Sequence, residues 1–188
     1  VYLADGRPEA ALRAIEQTRI AGLPADLVGE RRLLQARALA EVGRTDHALE
    51  LIAADESEDA NRLRARIAWN ARQWAEAGRR AESLLGDRWR GEDALEAQES
   101  HDVLRALIAY ALANDRAGTD RIAARYGPLM ARTDHAGAFA MVAERTMTAG
   151  DARLAGLAAD LAQIEDAESL MRGFRGEAGT APDASNPS

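Results

Sequence analysis

The sequence predicts an all-α fold built of stacked antiparallel helix pairs, and three observations support this prediction. Apolar residues recur at helical spacing, whereas the apolar–polar alternation of strands is missing and β-branched residues never cluster. Alanine is the commonest residue and favours helix at almost every position. Short polar turns return between apolar helices. A single hairpin of this kind cannot bury its own apolar face, whereas stacked copies can.

Composition and charge exclude several classes of function. The 188-residue chain has a net charge of −7, so we expect no nucleic-acid partner. No apolar run reaches the roughly 18 residues of a membrane span, and no signal peptide is visible. Cysteine is absent, which excludes disulfides and thiolate metal sites. All 24 basic residues are arginine, a bias typical of GC-rich bacterial genomes. A cytoplasmic location is favoured, and a periplasmic one stays open if a signal lies upstream.

The first predicted pair covers about residues 1–21. A helical stub at Val1–Asp5 ends at Gly6, and Pro8 suits the first turn of the helix that follows. Because the stub is only the end of a helix, we expect the chain to be a C-terminal piece of a larger bacterial protein.

The second pair covers about residues 26–54, and the third covers about 57–86. In the second pair, Gly43 ends the first helix as a left-handed C-terminal cap. Thr45 or Asp46 can cap the next helix. In the loop after the third pair, Trp89 either anchors an interface or fills the gap before the next pair.

The fourth pair covers about residues 92–131, and its first helix is predicted to run from 92 to 113. Acidic residues at its start suit the positive end of a helix dipole. In the second helix, Pro128 predicts a break or kink. The predicted buried stripe of the first helix includes Leu95, Val103, Leu107 and Tyr110.

The fifth pair covers about residues 134–163, and a short capping helix follows through about Met171. The helical domain therefore spans residues 1–171. Residues 172–188 are rich in Gly, Pro and Ser and predict a flexible C-terminal tail. No linker of similar composition interrupts the rest of the chain, so one domain is predicted.

The turn residues share a register with the residues around them. Five positions after four of the turn residues there is an alanine, at Ala11, Ala48, Ala77 and Ala155. Seven positions before three of the turn residues there is a small residue, at Ala36, Ala65 and Ala143. In this register the pairs resemble tetratricopeptide repeats, helix–turn–helix units of about 34 residues that stack into a right-handed superhelix. The turn residues are Gly6, Gly43, Arg72, Asn114 and Gly150.

The resemblance covers most of residues 1–163, but the array it implies is degenerate. The turn residues are unevenly spaced, and the fourth pair fits worst. There Thr119 and Leu107 stand where the family has small residues, although Tyr110 matches its aromatic position. An irregular all-α bundle of alanine-rich hairpins is the alternative.

The resemblance implies a non-enzymatic scaffold or adaptor for protein–protein interaction, with no cofactor. A peptide or helix of the partner would order within the concave groove. Some family members grip a peptide's C-terminal carboxylate there with basic and Asn side chains, and arginine binds carboxylates in bidentate geometry. An acidic partner is therefore expected. The family's groove positions fall on Glu30, Arg37, Arg62, Arg66, Trp69 and Asn70 here, and farther along on Leu104, Ile108, Ala140 and Met147.

Two alternatives to a partner-binding groove stay open. The arginines of the groove positions could instead pair with nearby carboxylates such as Asp59 or Glu30. The whole module could also serve self-assembly, or act as a spacer inside a larger complex. Both alternatives leave the predicted fold unchanged.

The sequence offers no constellation typical of an enzyme or a metal site. His47 and His135 lie in two copies of Thr-Asp-His-Ala, which we interpret as helix caps. His101 and the acidic run from Glu92 to Asp102 are predicted to lie on a solvated surface. Phosphate loops, nucleophile elbows and zinc-protease motifs are missing. An all-α enzyme remains the weaker alternative, which would gain support if these histidines converged with carboxylates in a cleft.

Overall fold

The computed structural model describes residues 2–18, 24–144 and 150–163. These residues form helices and turns without a strand, which confirms the all-α prediction. None of their helices is long and apolar enough to cross a membrane. The predicted capping helix and C-terminal tail lie outside the described residues.

The described residues hold nine α-helices and one 3-10 turn. Residues 2–6 form a turn where a helical stub was predicted, and a 3-10 turn covers Arg88–Arg90. In chain order the helices are α1 (Pro8–Gln17), α2 (Ala25–Glu41), α3 (Thr45–Leu51), α4 (Glu58–Asn70), α5 (Trp74–Leu85), α6 (Ala97–Leu112), α7 (Arg116–Met130), α8 (Ala136–Ala143) and α9 (152–163).

Two predictions about the fourth pair are wrong. Helix α6 begins at Ala97 and not near residue 92, because Glu96 and Glu99 form a capping box in which the Glu96 N–H donates to Glu99 Oε2 at 2.8 Å. Helix α7 also continues past Pro128 to Met130, so of the predicted break or kink it is the break that is absent. Proline is tolerated there because its missing N–H removes one backbone hydrogen bond in the last turn of the helix, and the helix ends two residues later.

Four of the predicted turns have the same backbone structure. In each, the turn residue is left-handed, and its N–H donates to the carbonyl three residues earlier. The next N–H donates to the carbonyl five residues before it, which completes a Schellman motif. Each following helix begins two residues after its turn residue. The four residues are Gly6 (φ 64°), Gly43 (79°), Arg72 (55°) and Asn114 (56°).

Around these four turns the register coincides with burial, whereas at the fifth turn residue, Gly150, Ala155 is exposed and Ala143 is half-buried. The residue five positions after each of the four turn residues lies in the core, including Thr119, which stands in place of alanine. The residue seven positions before is fully buried, including the large Leu107. The first set is Ala11, Ala48, Ala77 and Thr119, and the second is Ala36, Ala65 and Leu107.

Contacts between the described helices are local in the chain. Among α1 to α8, every substantial contact joins helices that are adjacent or next but one in order, and the most extensive joins α5 to α6. Two apolar clusters result, one from α2 to α4 and a larger one from α4 to α9, so that α4 contributes to both.

Arginine side chains of α2 and α4 bind the ends of the preceding helices. Arg31 Nη1 donates to the carbonyl of Thr18 at 2.9 Å, just after α1. Arg64 Nη2 donates to the carbonyls of Ile52 and Asp55, the latter at 2.8 Å, just after α3. Carbonyls at a helix end lack partners within the helix, so cations stabilise them.

Helix α6 is buried on every side from Ser100 to Tyr110, not along a single stripe. A helix surrounded by others in this way belongs to the core. Leu104 is only 4% exposed and Ile108 is 0% exposed, so these two groove positions are closed to a partner. Ala140 is exposed, and Met147 lies outside the described residues.

The Tyr110 ring lies where α6 meets α5 and α7. It packs directly on Gly118 of α7 and Gly78 of α5, where an added Cβ would lie 2.6 Å and 2.9 Å from ring carbons. The Tyr110 hydroxyl donates to Glu82 Oε2 at 2.7 Å, and Arg121 donates to both oxygens of the same carboxylate at 2.7 Å. The ring therefore needs glycine on both neighbouring helices, and its hydroxyl is held by an ion pair.

We expect Gly118→Ala to lower the free energy of unfolding by about 1–3 kcal/mol, because the new methyl group would overlap the Tyr110 ring. Gly29 is the matched control, since it lies within α2 and no atom lies within 4 Å of an added Cβ. Gly29→Ala should raise stability by about 0.5–1 kcal/mol. Urea denaturation measures both variants. Equal stabilisation by the two would contradict the packing described for Tyr110.

The hydrogen bonds from Arg121, aided by those from Tyr110 and by nearby Arg125, hold the pKa of Glu82 below its ordinary value of about 4.5. A depressed carboxyl pKa adds stability above the unfolded-state pKa, and this stability is lost as the pH falls through the folded-state pKa. Glu82→Gln should therefore cost about 1–2 kcal/mol at pH 7. The difference from the unsubstituted protein should shrink below about pH 5 in denaturation curves measured across pH. A pH-independent difference would contradict this role.

Candidate functional site

The predicted groove arginines lie on two helices that are in contact. On α4, Arg62, Arg66 and Asn70 follow one another at i, i+4 and i+8, so their side chains lie on one side. The two arginines are half-buried and Asn70 is exposed. Arg37 of α2 is also half-buried, and it stands six residues before Gly43, as Arg66 does before the next turn residue. Helices α2 and α4 contact each other. We call Arg37, Arg62, Arg66 and Asn70 the first-helix face.

Two arginines of the first-helix face make identified ion pairs. Arg37 Nε lies 3.1 Å from Glu41 Oε1, and Arg62 Nη2 lies 2.5 Å from Glu58 Oε1. Both pairs join residues four apart on one helix. Pairs of this kind contribute only about 0.3–0.5 kcal/mol, so another carboxylate can compete for the arginines. These partners differ from the Asp59 and Glu30 considered from the sequence.

Trp69 lies at the inner edge of this face and belongs to the core. Its side chain is 5% exposed and meets Trp74 edge to face, with ring centroids 5.4 Å apart. The Arg105 guanidinium lies 5.4 Å from the Trp69 ring centroid. Trp69 therefore joins α4, α5 and α6 and leaves little of its ring for a partner.

A buried pair of charges lies behind Arg62. Arg105 Nη1 is 4.0 Å from Asp102 Oδ1, and Arg62 Nη2 is 3.9 Å from Asp102 Oδ2. Burial raises the pKa of Asp102, which Arg105 and Arg62 oppose. Burial also lowers the pKa of Arg105 to about 10, which Asp102 opposes. The predicted solvated surface is wrong for Asp102, because α6 is enclosed by other helices.

The structure brings together two histidines that the sequence separates. His101 is 5% exposed, so its predicted surface location is wrong, and its ring centroid lies 4.6 Å from that of His135. His47 is exposed, with Nδ1 3.3 Å from Arg44 Nη2. Within the described ranges, no group of three or more His, Asp and Glu side chains could hold a metal ion.

The Thr-Asp-His-Ala segments cap helices less than predicted. Helix α3 begins at Thr45 itself, and no side chain caps it. Its start is already determined by the left-handed turn at Gly43, two residues earlier. In the second copy, Thr133 Oγ1 accepts from the His135 N–H at 3.3 Å, while His135 takes the cap position of α8 without a side-chain bond.

Trp89 fills the space between the third and fourth pairs, as one of its two interpretations predicts. Its half-buried ring packs against the larger apolar cluster. The guanidinium groups of Arg90 and Arg125 each lie 5.1 Å from its ring centroid. Cation–π contacts of this kind hold an aromatic ring that is partly exposed.

A cleft of about 500 Å³ opens beside Trp74, between α3, α4 and α5. We call it the Trp74 cleft. The sequence did not predict this cleft. Its only trace in the sequence is that Trp74 and two arginines lie on the same helix. Its apolar lining is Leu49, Ile67, Ala68, Trp74 and Ala75, and its polar lining is Arg64, Gln73, Glu76, Arg79 and Arg80.

No protein-family model matches the chain, and neither a curated protein nor a solved structure matches it significantly. In the first-helix face and in the Trp74 cleft alike, arginines pair with carboxylates of their own helix. Arg62 of the first-helix face also lies 3.9 Å from the buried Asp102.

The two kinds of ion pair should respond very differently to substitution. Asp102→Ala should cost about 3 kcal/mol or more, because it removes the carboxylate beside the buried Arg105. Arg79→Ala should change stability by less than about 0.5 kcal/mol, because Arg79 is exposed and its ion pair with Glu76 is a surface pair within one helix. Thermal and urea denaturation measure both. Similar effects for the two variants would contradict the burial assigned to Asp102.

Proposed function

We propose that the protein is a non-enzymatic scaffold that binds an acidic segment of a partner protein on its first-helix face. The supporting observation is the placement of Arg37, Arg62 and Arg66, all half-buried, on two helices that contact each other. Half-buried arginines lose less conformational freedom on binding than fully exposed ones, and their planar groups favour carboxylates.

We propose that this face belongs to a degenerate tetratricopeptide-like array, in which the stacked helix pairs form a right-handed superhelix. The four identical turns support it, as does the buried residue five positions after each. Contacts limited to near neighbours in the chain are also typical of repeat arrays. In such an array, the first helices of successive pairs line one surface.

The burial of α6 limits the extent of the proposed surface. Because α6 is enclosed from Ser100 to Tyr110, only α2 and α4 offer accessible first-helix side chains in succession. Packed helices lie about 8–10 Å apart, and an extended chain covers about 3.3 Å per residue. Two helices side by side therefore span about 16–20 Å, and a segment crossing both would engage about five or six residues.

Self-assembly is a second candidate function, favoured by a different observation. Three large apolar side chains of α2 are exposed, at 43% for Leu27, 40% for Val28 and 51% for Leu34. Apolar side chains grouped on one helix often mark a protein interface. In this candidate, α2 packs against another copy of the chain.

Selection of displayed peptides against the full chain tests the proposed function. Enriched peptides should be acidic, and their affinity, measured by fluorescence anisotropy, should fall at least about tenfold for Arg37→Glu combined with Arg66→Glu. Arg13→Glu combined with Arg116→Glu is the matched control. It changes the net charge equally at exposed sites outside the face. Circular dichroism checks that all variants fold.

Two results would count against an acidic partner on this face. One is an equal loss of affinity in the control, which would indicate an effect of net charge alone. The other is enrichment without acidic residues. Concentration-dependent sedimentation that Leu34→Asp abolishes would instead favour self-assembly.

A further inference from the structure

We infer that the Trp74 cleft is a second binding site, and that it takes an acidic peptide segment carrying one large apolar side chain. The apolar side chain would lie on the floor of the cleft, and the neighbouring carboxylates would bind the arginines at its rim. The site is distinct from the first-helix face and does not depend on the function proposed there.

The Trp74 cleft and the first-helix face lie on opposite sides of α4. An α-helix turns by about 100° per residue. Arg64 and Ala68 therefore point away from Arg62 and Arg66, and they line the cleft together with side chains of α3 and α5. A short peptide bound in the cleft therefore cannot reach the first-helix face.

The floor of the cleft suits a large apolar side chain. Ile67 and Ala68 are almost fully buried beneath it, and the half-buried Trp74 forms a wall. Trp69 holds the Trp74 ring edge to face at 5.4 Å, so this wall is fixed before a ligand arrives. The volume of about 500 Å³ lies in the range of ligand pockets. The cleft is more open than enclosed, which favours a segment of a chain over an enclosed small molecule.

The rim of the cleft is positively charged. Three arginines and one glutamate line it, although the whole chain has a net charge of −7. The guanidinium of Arg64 is already bound to carbonyls at the end of α3. Arg79 and Arg80 remain accessible, with side chains 63% and 37% exposed. This local reversal of charge selects an acidic ligand.

One carboxylate is shared by the two accessible arginines. Glu76 Oε2 lies 2.6 Å from Arg79 Nη2, and Glu76 Oε1 lies 2.7 Å from Arg80 Nη2. Exposed pairs of this kind are weak and exchange readily. A ligand carboxylate can therefore bind Arg79 while Glu76 keeps Arg80, so no charge is left alone.

Indole N–H signals in nuclear magnetic resonance spectra test this site directly, because the chain has only three tryptophans. The probe is the peptide acetyl-Asp-Glu-Phe-Glu-amide, and its matched control has Asn and Gln in place of Asp and Glu. The acidic peptide should shift the Trp74 signal, leave that of Trp89 in place and bind at least about fivefold more tightly than the control peptide.

Variants of the full chain separate this site from the first-helix face. Arg79→Glu combined with Arg80→Glu should weaken the acidic peptide about tenfold, measured from the Trp74 shift. Arg37→Glu combined with Arg66→Glu should leave that shift and its midpoint unchanged. Three results would overturn the inference: no Trp74 shift at millimolar peptide, equal binding of the neutral peptide, or loss of the shift only in the first-helix variant.

Discussion

The packing of Tyr110 against two glycines is the contact on which the rest of the fold depends. Its ring touches Gly78 of α5 and Gly118 of α7 so closely that a side chain at either position would overlap it. Helix α6 can therefore approach both neighbours at once, and it becomes buried along its whole middle. The ion pair of Glu82 with Arg121 closes the outer end of this junction. Without the close approach, the most extensive helix contact, between α5 and α6, would open.

The burial of α6 connects the core to the candidate binding surfaces. It encloses Asp102 and Arg105, and Arg62 reaches from the first-helix face toward the same carboxylate. It also places Trp69 between Arg105 and Trp74, whose ring forms a wall of the cleft on the far side of α4. The two candidate sites are thus supported by one continuous stack of side chains.

Much of the fold could be predicted because its signals are local. The left-handed turns depend on a few neighbouring residues, and the register identified even Arg72 and Asn114, where glycine is missing. The environment of His101 could not be predicted, because its burial depends on helices far away in the sequence. The first-helix arginines follow from spacing along one helix. The Trp74 cleft does not, since side chains of three helices form it.

The hydrogen bonds from Arg31 and Arg64 have a consequence for how such a chain could be divided or extended. Each arginine belongs to one predicted pair and binds the end of the helix that closes the pair before it. The unit that keeps these bonds intact therefore combines the second helix of one pair with the first helix of the next pair, such as α3 with α4. Grafts and truncations that respect this offset unit would preserve the bonds, whereas cuts between whole pairs would expose helix carbonyls on one fragment and a stranded arginine on the other.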